Sequence, residues 1–460
     1  MVAMVGKTIS VVGLGKLGAS MAAAMADRGF DVIGVDVSRA AVENLNAGKA
    51  PVQETTLQEY IDRNRQRLSA TLEHRDAVMK SDITFVIVPT PSDKNGAFSI
   101  KYAATAFRAI GKALKEKKGY HTVVLTSTVL PGATRYGLLP LLEQESGKKC
   151  GKDFGLCYSP EFIALGSVIR DFLNPDFLLV GEFDRKSGET LESYYEKIME
   201  NHPPCKRMSI ENAELAKVSL NSYVTMKITF ANILTELCEK IPGGDVDAVS
   251  DAIGLDRRIG RKYLTGGLGF GGPCFPRDNV AVSFLARELG VRNEIAEATD
   301  RFNRTIPARF VEKISRHIPS GSTVAVLGLS YKPYSCVVEE SQGILLAQAL
   351  SKQNYTVTGY DPLANDNARH MLGDDIQIKE SVQDCIAGAD AVLITTPDPA
   401  FTALKLGDFR KGKEDMLVVD FWRVLAGELS GKPGIRYVPV GQGSRIRDAE
   451  NVLEMMWRDA

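Results

Sequence analysis

Residues 8–36 are TISVVGLGKLGASMAAAMADRGFDVIGVD, and this stretch decides the fold. It opens with a β-branched run that predicts a strand, and three glycines follow at once, at Gly13, Gly15 and Gly18. The small residues after them predict a helix, and a second β-branched run predicts a second strand. A strand, a glycine turn, a helix and a strand in about 30 residues predict a βαβ unit, the building block of a doubly wound parallel sheet.

The three glycines and the acid that follows the second strand predict a dinucleotide site. Gly13 permits a tight turn, Gly15 lets the backbone approach a pyrophosphate, and Gly18 lets helix and strand pack closely. The free N–H groups at the start of the helix bind phosphate. Asp36 can accept hydrogen bonds from ribose hydroxyls and would repel a 2′-phosphate, so the motif predicts NAD rather than NADP. The alternative is a structural glycine turn followed by an incidental acid.

Composition excludes several other classes of partner. The chain has 460 residues and a formal net charge of −1, which provides no global attraction to nucleic acid or to an anionic membrane. No apolar run approaches the roughly 20 residues that span a bilayer, and the N-terminus lacks the pattern of a signal peptide. The seven cysteines are scattered without a CxxC pair, which favours a reducing, cytoplasmic location. The five histidines are scattered as well, so no metal site is predicted.

The rest of the chain repeats the alternation of strands and helices. Buried strands are predicted at 83–88 and 122–126, and the stretch 211–241 contains neither Gly nor Pro and carries apolar residues at helical spacing. That stretch predicts a helix of roughly 45 Å, which indicates a spine between domains or a dimer interface. Further strands are predicted at 323–327, 356–360, 390–396 and 417–419.

These patterns predict an α/β fold in which two Rossmann-like domains, each a doubly wound parallel sheet, are joined by a long central helix. The predicted boundaries are 1–205 for the NAD-binding domain, 206–305 for the central helical region and 306–460 for the second Rossmann-like domain. The second domain lacks GxGxxG, and no dinucleotide is therefore predicted for it.

A glycine-rich segment with a cysteine indicates covalent chemistry. Residues 266–278 are GGLGFGGPCFPRD. Such a loop can wrap a ligand with its backbone and can hold the thiol of Cys274 at a fixed point beside Asp278. The alternative is a buried structural cysteine.

At this motif the sequence resembles the UDP-glucose/GDP-mannose dehydrogenase family, and the resemblance covers nearly the whole chain with the family's motifs in order. The cysteine motif GFGGxCFPKD appears at 269–278, with Arg277 in place of the lysine. The other motifs, in chain order, are GxGxxG at 13–18, STV-P-G-T at 127–134, PEF at 160–162, the helix pair Lys217 and Asn221, GxxxKP at 328–333 and D-x-x-R at 420–423.

The resemblance implies an activity. The family makes two successive hydride transfers to NAD and converts the C6 alcohol of a nucleotide sugar, through an aldehyde, to a carboxylate. For this chain it implies that Cys274 is the covalent nucleophile, which adds to the aldehyde before the second hydride leaves. Glu161 is implied as the general base that activates the hydrolytic water, and Thr128 and Asp278 are of a type to hold that water.

Two residues on the long predicted helix are implied as oxyanion donors. Lys217 and Asn221 are four residues apart, hence on one helix face, and both could donate to the oxygen that becomes negative. Lys217 would also favour the thiolate form of Cys274.

The resemblance also implies binding residues in both Rossmann-like domains. The implied cofactor contacts are Gly13, Gly15, Leu17, Gly18, Asp36, Pro89, Thr90 and Thr128. The implied substrate contacts are Glu161, Phe162, Lys217, Asn221, Arg258, Phe270, Gly271, Lys332 and Arg423. Arg258 resembles an arginine that reaches the substrate of a neighbouring subunit, so a homodimer is predicted.

The sequence departs from the family at a few positions. Leu165 stands where many relatives carry a second glutamate, and Phe177 stands where they carry an arginine. In the run after Pro333, Val337 departs from the pattern and Glu339 stands at the arginine position. In relatives that arginine can help to bind the cofactor, so the charge reversal at Glu339 could weaken NAD binding or change domain closure.

Three alternatives stay open. A two-electron dehydrogenase of the 3-hydroxyacid or 6-phosphogluconate type also places a lysine on a long helix after a Rossmann domain, but it needs no nucleophilic thiol. A nucleotide-sugar-binding regulator that has lost turnover would bind without producing NADH. Within the family, UDP-glucose is the first choice of substrate, and GDP-mannose or a UDP-N-acetylhexosamine is the alternative.

Overall fold

The computed structural model describes residues 6–409, 415–443 and 447–458, with the backbone alone for 447–451. The chain divides into two compact units, Met1–Leu220 and Asn221–Ala460, and the division falls inside one long helix. The three-part division predicted above stays a prediction. In the described ranges no helix is both long and apolar enough to cross a membrane.

The described part of the first unit contains one large sheet. Its strands are β1 (Thr8–Val12), β2 (Asp31–Val35), β3 (Leu68–Thr71), β4 (Ile83–Val86), β5 (Thr122–Leu125), β6 (Gly155–Tyr158), β7 (Leu178–Glu182) and β8 (Cys205–Ser209). Their order is β3-β2-β1-β4-β5-β6-β7-β8, with an antiparallel pairing between β6 and β7. The winding of the sheet reverses between β1 and β4, which is where such sheets bind their ligands.

Helices cover both faces of this sheet. They are α1 (Lys16–Asp27), α2 (Arg39–Asn46), α3 (Leu57–Arg63), α4 (His74–Lys80), α5 (Lys101–Glu116), α6 (Leu139–Ser146), α7 (Val168–Leu173) and α8 (Arg185–Ile198), with a π-helical stretch at Ala133–Leu138. Successive strand residues pack into opposite layers: Phe85 belongs to the hydrophobic cluster that contains α1, and Val86 to the cluster that contains α5. The small residues of α1 let that helix lie against the sheet with most of its surface buried.

A single helix, α9 (Ile210–Lys240), runs across the division between the units. It confirms the helix predicted at 211–241 to within one residue at each end. Its 31 residues correspond to roughly 46 Å at the usual rise per residue.

The second unit continues with helices α10 (Val246–Gly254), α11 (Phe275–Glu288) and α12 (Glu294–Ser315). Its sheet has the described strands β9 (Thr323–Leu327), β10 (Thr356–Tyr360), β11 (Gln377–Ile378), β12 (Ala391–Ile394), β13 (Met416–Asp420) and β14 (Ile435–Pro439). Their order is β11-β10-β9-β12-β13-β14, and every pairing is parallel. The remaining helices are α13 (Gln342–Ser351), α14 (Asn365–Leu372), α15 (Val382–Ile386), α16 (Pro399–Thr402), α17 (Ala426–Leu429) and α18 (Arg447–Trp457), with 3₁₀ turns at Gly373–Asp375 and Leu406–Asp408.

These elements confirm the predicted class, two parallel-sheet α/β domains with a long central helix. Three strands end earlier than predicted: β4 at Val86, β5 at Leu125 and β12 at Ile394. The apolar run at 83–88 continues through Ile87 and Val88, but the ladder of β4 stops at Val86, and the N–H of Val88 donates to a side chain, Ser127 Oγ, instead.

Candidate active site

The glycine turn predicted for a dinucleotide lies at the carboxyl end of β1, where the winding of the first sheet reverses. Gly13 has a φ of +99°, and a side chain there would collide with the backbone oxygen of Ile87. A side chain at Gly18 would collide with the backbone oxygen of Gly13. A Cβ at Gly15 would meet no described atom within 4 Å, so this side of the turn is open to a ligand.

Helix α1 begins directly after Gly15, whose hydrogen in place of a side chain leaves the start of the helix without a cap from that residue. N–H groups at the start of a helix attract phosphate, both as donors and through the helix dipole. Leu17, a predicted cofactor contact, lies in this first turn and packs partly against the core of the first unit. The turn therefore offers both the space and the donors that a pyrophosphate needs.

Asp36 is tied to the glycine turn. Its Oδ2 accepts a hydrogen bond from the backbone N–H of Leu14 at 2.6 Å, and its Oδ1 accepts one from Ser38 at 2.7 Å. Each carboxylate oxygen has two lone-pair sites, so both keep capacity for a ribose hydroxyl. The structure adds the role of an anchor for the turn to the ribose contact, which stays a prediction.

The carboxyl ends of β4 and β5 are locked together by hydroxyl groups. Thr90 Oγ1 donates to the backbone oxygen of Thr128 at 2.7 Å. Ser127 Oγ accepts from the N–H of Val88 at 2.8 Å and donates to its carbonyl oxygen at 2.7 Å. Two predicted cofactor contacts, Thr90 and Thr128, therefore lie together at this edge, with Pro89 exposed beside Thr90.

Glu161 and Lys217 lie together in the first unit. Glu161 follows β6 in a loop, and Lys217 is a buried residue of α9. Lys217 Nζ donates to the backbone oxygen of Glu161 at 2.6 Å and lies 4.5 Å from the centre of the Phe162 ring. The lysine therefore holds the backbone and the aromatic ring of the PEF segment at once.

The carboxyl group of Glu161 is a weaker acid than usual. Burial raises the pKa of Glu161 to about 8, and the positive charge of Lys217 opposes this shift. A carboxyl group whose pKa lies near neutrality can both accept and release a proton under physiological conditions. This is the property that the implied general base requires, and the role itself stays a prediction.

Two departures from the family pattern lie close to this segment in the chain. The ring of Phe177, which stands where relatives carry an arginine, packs 4.9 Å from the ring of Phe162. Leu165 lies partly buried in the loop that follows Phe162. The first departure therefore replaces a charge by an aromatic contact that supports the PEF segment.

Glu214 is a residue that the sequence reasoning missed. It is buried on α9, and its carboxylate accepts hydrogen bonds from the backbone N–H groups of Gly132 at 2.6 Å and Thr134 at 2.9 Å. Burial raises the pKa of Glu214, and these hydrogen bonds oppose the shift. Glu214 thereby fastens the motif at 127–134 to the helix that carries Lys217. The local sequence does not single out Glu214, because Glu211 and Asn212 nearby are polar as well.

In the second unit, Cys274 occupies the N-cap position of α11 and its side chain is exposed. The positive end of a helix dipole stabilises a thiolate. Among the seven cysteines, all of which are described, Cys274 alone is exposed. Burial raises the pKa of Cys150 and Cys205 to about 12 and that of Cys385 to about 11. The exposure of Cys274 is inconsistent with the alternative of a buried structural cysteine.

The start of α11 is fastened to α9 by two pairs of side chains. Asn221 Nδ2 donates to Asp278 Oδ2 at 2.6 Å, and Asn279 Nδ2 donates to Thr225 Oγ1 at 2.7 Å. The backbone N–H of Asp278 donates to the carbonyl oxygen of Cys274 at 2.8 Å. The structure therefore brings together three of the predicted site residues, Asn221, Cys274 and Asp278.

Two predicted substrate contacts, Phe270 and Gly271, lie in the irregular segment before Cys274. Phe270 is buried, and a side chain at Gly271 would collide with the backbone oxygen of Glu340. The N–H of Gly272 donates to the backbone oxygen of Glu339 at 3.0 Å. Glu339 therefore supports this segment through its backbone, and the charge reversal at this position leaves that hydrogen bond intact.

Every N–H group of the Arg423 guanidinium forms a hydrogen bond inside the second unit. It forms a bidentate ion pair with Asp247 at 2.6 and 2.9 Å. Its other N–H groups donate to the backbone oxygens of Gly266, Phe421 and Val440. All five guanidinium N–H groups are thus engaged. A contact of Arg423 with substrate would require the exchange of one of these partners, and it stays a prediction.

The other two predicted basic contacts lie in turns of the second unit. Lys332 is partly buried in the turn after β9, with its Nζ 5.8 Å from the centre of the Tyr331 ring. Arg258 is largely exposed and pairs with Asp256 at 2.6 Å. Their contacts with substrate stay predictions.

The second sheet repeats the backbone contacts of the glycine turn. Gly328, directly after β9, has a φ of +112°, and a side chain at Gly343 on α13 would collide with the backbone oxygen of Gly328. Asp361 Oδ2 accepts hydrogen bonds from the N–H groups of Leu329 and Ser330, both at 2.9 Å. The first unit shows the same features at its own turn: Gly13 has a positive φ, a side chain at Gly18 would collide with the Gly13 oxygen, and Asp36 accepts from the N–H of Leu14. The sequence pattern missed this repeat because a much longer loop separates the two glycines.

Models of one protein family match three successive parts of the chain. The NAD binding domain of the UDP-glucose/GDP-mannose dehydrogenase family matches residues 7–199, its central domain matches 211–305, and its UDP binding domain matches 325–427.

Individual relatives match over most of their length. The chain is 36% identical over 421 residues to the UDP-glucose 6-dehydrogenase of Haloferax volcanii, with 91% of this chain and 97% of that protein covered. It is 37% identical over 357 residues to the GDP-mannose 6-dehydrogenase of Pseudomonas aeruginosa, with 77% and 80% covered. Its fold is similar to that of a UDP-glucose dehydrogenase from Pyrobaculum islandicum, at a TM-score of 0.86 and 34% identity, with 95% of this chain and 98% of that chain covered.

Proposed function

The chain belongs to the UDP-glucose/GDP-mannose dehydrogenase family, and from this premise we propose that it oxidises the C6 alcohol of a nucleotide sugar to a carboxylate through a covalent intermediate on Cys274. The observation that carries the proposal is the exposed thiol of Cys274 at the start of α11, next to the hydrogen-bonded pair Asn221 and Asp278.

NAD is the cofactor of this family, and the first unit has the features to hold it. The open side of the glycine turn and the start of α1 would receive the pyrophosphate, and Asp36 would accept from the ribose. When bound, NAD accepts a hydride at each of the two oxidation steps.

Cys274 is assigned to react with the aldehyde that the first oxidation produces. The thiolate of Cys274 attacks the carbonyl carbon, a C–S bond forms, and the carbonyl oxygen becomes an oxyanion. Lys217 and Asn221 are the donors assigned to this oxyanion. Loss of a hydride from the same carbon then leaves a thioester.

Hydrolysis of the thioester is assigned to Glu161. Its carboxylate takes a proton from a water molecule while the water oxygen bonds to the carbonyl carbon, and the C–S bond breaks to return the thiolate. The pKa of Glu161, raised to about 8, supports this assignment because a base is most effective when its pKa lies near the working pH. Thr128 and Asp278 are assigned to position the water.

UDP-glucose is the substrate that we propose first. The match of residues 325–427 to a UDP binding domain supports a uridine nucleotide, and the UDP-glucose 6-dehydrogenase of Haloferax volcanii is among the relatives that match most of this chain. GDP-mannose and UDP-N-acetylhexosamines are the alternatives. We also propose a homodimer as the working assembly.

The test counts NADH per sugar. The purified full chain is incubated with NAD and, separately, with UDP-glucose, GDP-mannose and UDP-N-acetylhexosamines, and NADH absorbance is compared with the sugar consumed. We expect two NADH per UDP-glucose and a uronic acid product. Cys274→Ser should lose net formation of the acid by about 10³-fold or more, because its hydroxyl is a far weaker nucleophile. Cys205→Ser, at a half-buried position on β8, is the matched control.

The other outcomes separate the alternatives. One NADH per sugar and an unaffected Cys274→Ser would overturn the covalent mechanism in favour of a two-electron dehydrogenase. Binding of a nucleotide sugar without any NADH would favour the regulator.

A further inference from the structure

The thiol loop, residues 266–273, leads into Cys274 without forming a helix or a strand. The N–H and C=O groups of an irregular buried segment need partners, since neither water nor a neighbouring strand supplies them. Two asparagine side chains, on two different helices, supply partners for the thiol loop.

The first is Asn232 on α9, which is buried. Its Oδ1 accepts a hydrogen bond from the N–H of Gly267 at 2.9 Å, and its Nδ2 donates to the carbonyl oxygen of Leu268 at 3.0 Å. A primary amide has one acceptor and one donor side, so it can replace the peptide group of an adjacent strand.

The second is Asn303 on α12, which is buried as well. Its Oδ1 accepts from the N–H of Phe270 at 2.9 Å, and its Nδ2 donates to the carbonyl oxygen of the same residue at 2.9 Å. Gln342 Nε2 donates to that carbonyl oxygen from 3.2 Å. The two asparagines together fix the thiol loop at two points that are three residues apart.

The glycines of the thiol loop let it pack closely against its surroundings, and Gly269 in particular lets the amide of Asn303 approach. A side chain at Gly269 would collide with Oδ1 of Asn303, and a Cβ at Gly267 would lie 2.7 Å from the backbone oxygen of Phe421. The glycine pattern and the two asparagines are therefore parts of one arrangement, although 34 or more residues separate each asparagine from the loop glycine it contacts.

We propose that Asn232 and Asn303 are positioning residues, which hold the thiol loop so that Cys274 is presented at one place at the start of α11. This inference rests on the proposed function, in which Cys274 is the nucleophile. A displacement of about 1 Å at a reacting group can lower a rate by about 10²-fold, so a loop that loses one of its two supports should lose turnover far more than affinity.

The kinetic test uses Asn232→Leu and Asn303→Leu, which keep the volume of the side chain and remove both hydrogen bonds. The matched control is Asn46→Leu in the first unit, since Asn46 makes the same two-point contact with Ala70, at 2.8 and 2.9 Å. We expect kcat for oxidation of the nucleotide sugar to fall about 10- to 100-fold in the two loop variants, with KM within about threefold of the original value. Asn46→Leu should keep kcat within about twofold.

Asn303→Asp adds a readout that a general loss of stability would not change. The aspartate can still accept from Phe270 N–H, but it can donate to the Phe270 carbonyl only when protonated. The charged groups that line the cavity beside position 303, Asp300, Arg304, Glu340 and Lys352, are the same in both proteins. The kcat of Asn303→Asp, divided by that of the original protein at the same pH, should rise at least threefold from pH 8 to pH 6.

A measurement without turnover separates this inference from the proposed function. Alkylation of Cys274 by iodoacetamide is followed by mass spectrometry of its peptide. Because the start of α11 stabilises the thiolate, we expect the rate to fall about five- to tenfold in Asn232→Leu, Asn303→Leu and Asn303→Asp, and to be unchanged in Asn46→Leu. This result can be obtained even if the chain oxidises no nucleotide sugar, which would overturn the proposed function alone.

Melting curves first establish which variants are folded at the assay temperature, and Asn303→Asp carries the test if the leucine variants are not. Unchanged alkylation of Cys274 in every folded loop variant would overturn the positioning role. So would a kcat ratio for Asn303→Asp that does not vary with pH, in a chain that does turn over.

Discussion

Glu161 ionises at a higher pH in the folded protein than in the unfolded chain. Burial raises its pKa from an ordinary 4.5 to about 8. Between these two values the folded protein holds a proton that the unfolded chain has lost, so the folded state binds more protons. The free energy of unfolding should therefore fall as the pH rises from about 4.5 to 8.

Glu161→Gln removes this ionisation and keeps the size of the side chain. The unfolding temperature of the original protein should fall by a few degrees relative to that of Glu161→Gln between pH 5 and pH 8. The measurement is a series of calorimetric or fluorescence melts at pH 5, 6, 7 and 8. Glu196→Gln, at an exposed position on α8, is the control and should track the original protein. Parallel curves for the original protein and Glu161→Gln would contradict the raised pKa.

Asp36 joins the shape of the glycine turn to the choice of cofactor. Asp36→Asn keeps an acceptor for one backbone N–H but loses the negative charge. Losing charge-assisted hydrogen bonds weakens binding by about 1.5–3 kcal/mol, so the Kd for NAD should rise at least tenfold. The preference over NADP should shrink by a similar factor, because the repulsion of a 2′-phosphate is lost.

Titration of the protein fluorescence with each nucleotide measures both effects. Asp31→Asn is the control, since Asp31 is an exposed residue at the other end of β2. An unchanged Kd for NAD in Asp36→Asn would show that Asp36 serves the turn and not the cofactor.

The sequence predicts those functional residues that stand in a recognisable local motif. Gly13, Gly18 and Cys274 stand in local patterns; a side chain at either glycine would collide with a backbone oxygen, and Cys274 is the N-cap of α11. Glu214 and Asn303 carry no such pattern, because each acts on backbone groups far away in the chain. An asparagine on a helix is usually a surface residue, and only the folded arrangement shows that it is buried against a loop.

At the scale of elements, the two glycine turns show that one contact can decide how closely a helix approaches a sheet. Gly343 lies in the first turn of α13, against the backbone oxygen of Gly328. Gly427 lies in the short helix α17, and a Cβ there would meet no described atom within 4 Å. The two positions are both helical, and they differ in the space around them.

Gly343→Ala and Gly427→Ala should therefore change stability with opposite signs. A helical Gly→Ala change ordinarily stabilises by about 0.5–1 kcal/mol, and Gly427→Ala should show that gain in part, since α17 is short. At Gly343 the collision with a backbone oxygen should outweigh the gain and destabilise by about 1–3 kcal/mol. Urea unfolding of both variants measures the difference. Equal effects would mean that α13 moves away from β9 without cost.

The elements themselves were predictable to unequal degrees. Helix α9 was predicted to within one residue because its apolar spacing continues for 31 residues without a breaker. Strands β3, β6, β7, β8, β11 and β14 were not predicted. They are at most five residues long, and β7, β8 and β14 contain charged residues. Their identity depends on the ladders they join, which a local pattern does not reveal.

At the scale of the whole molecule, α9 carries an apolar stripe that the described single chain leaves uncovered. Tyr223, Phe230 and Leu237 are 56%, 48% and 52% exposed, and they are spaced seven residues apart, hence on one side of the helix. Ile233, at 39% exposure, lies one turn from Phe230 and Leu237. A contiguous apolar stripe of this length is typical of an interface with another chain.

The occupant that we predict is a second copy of this chain. An interface along a helix axis is self-complementary when two copies are related by a twofold axis, and this is the commonest arrangement of soluble oligomers. Light scattering after size exclusion should then give about twice the chain mass of 50.1 kDa.

Phe230→Glu with Leu237→Glu would bury unpaired carboxylates in that interface, at a cost of several kcal/mol, and should raise the dimer dissociation constant at least 100-fold. Met371→Glu replaces an equally apolar, exposed residue on α14 and should leave the mass unchanged. A dimer that survives the double substitution would place the interface elsewhere on the chain.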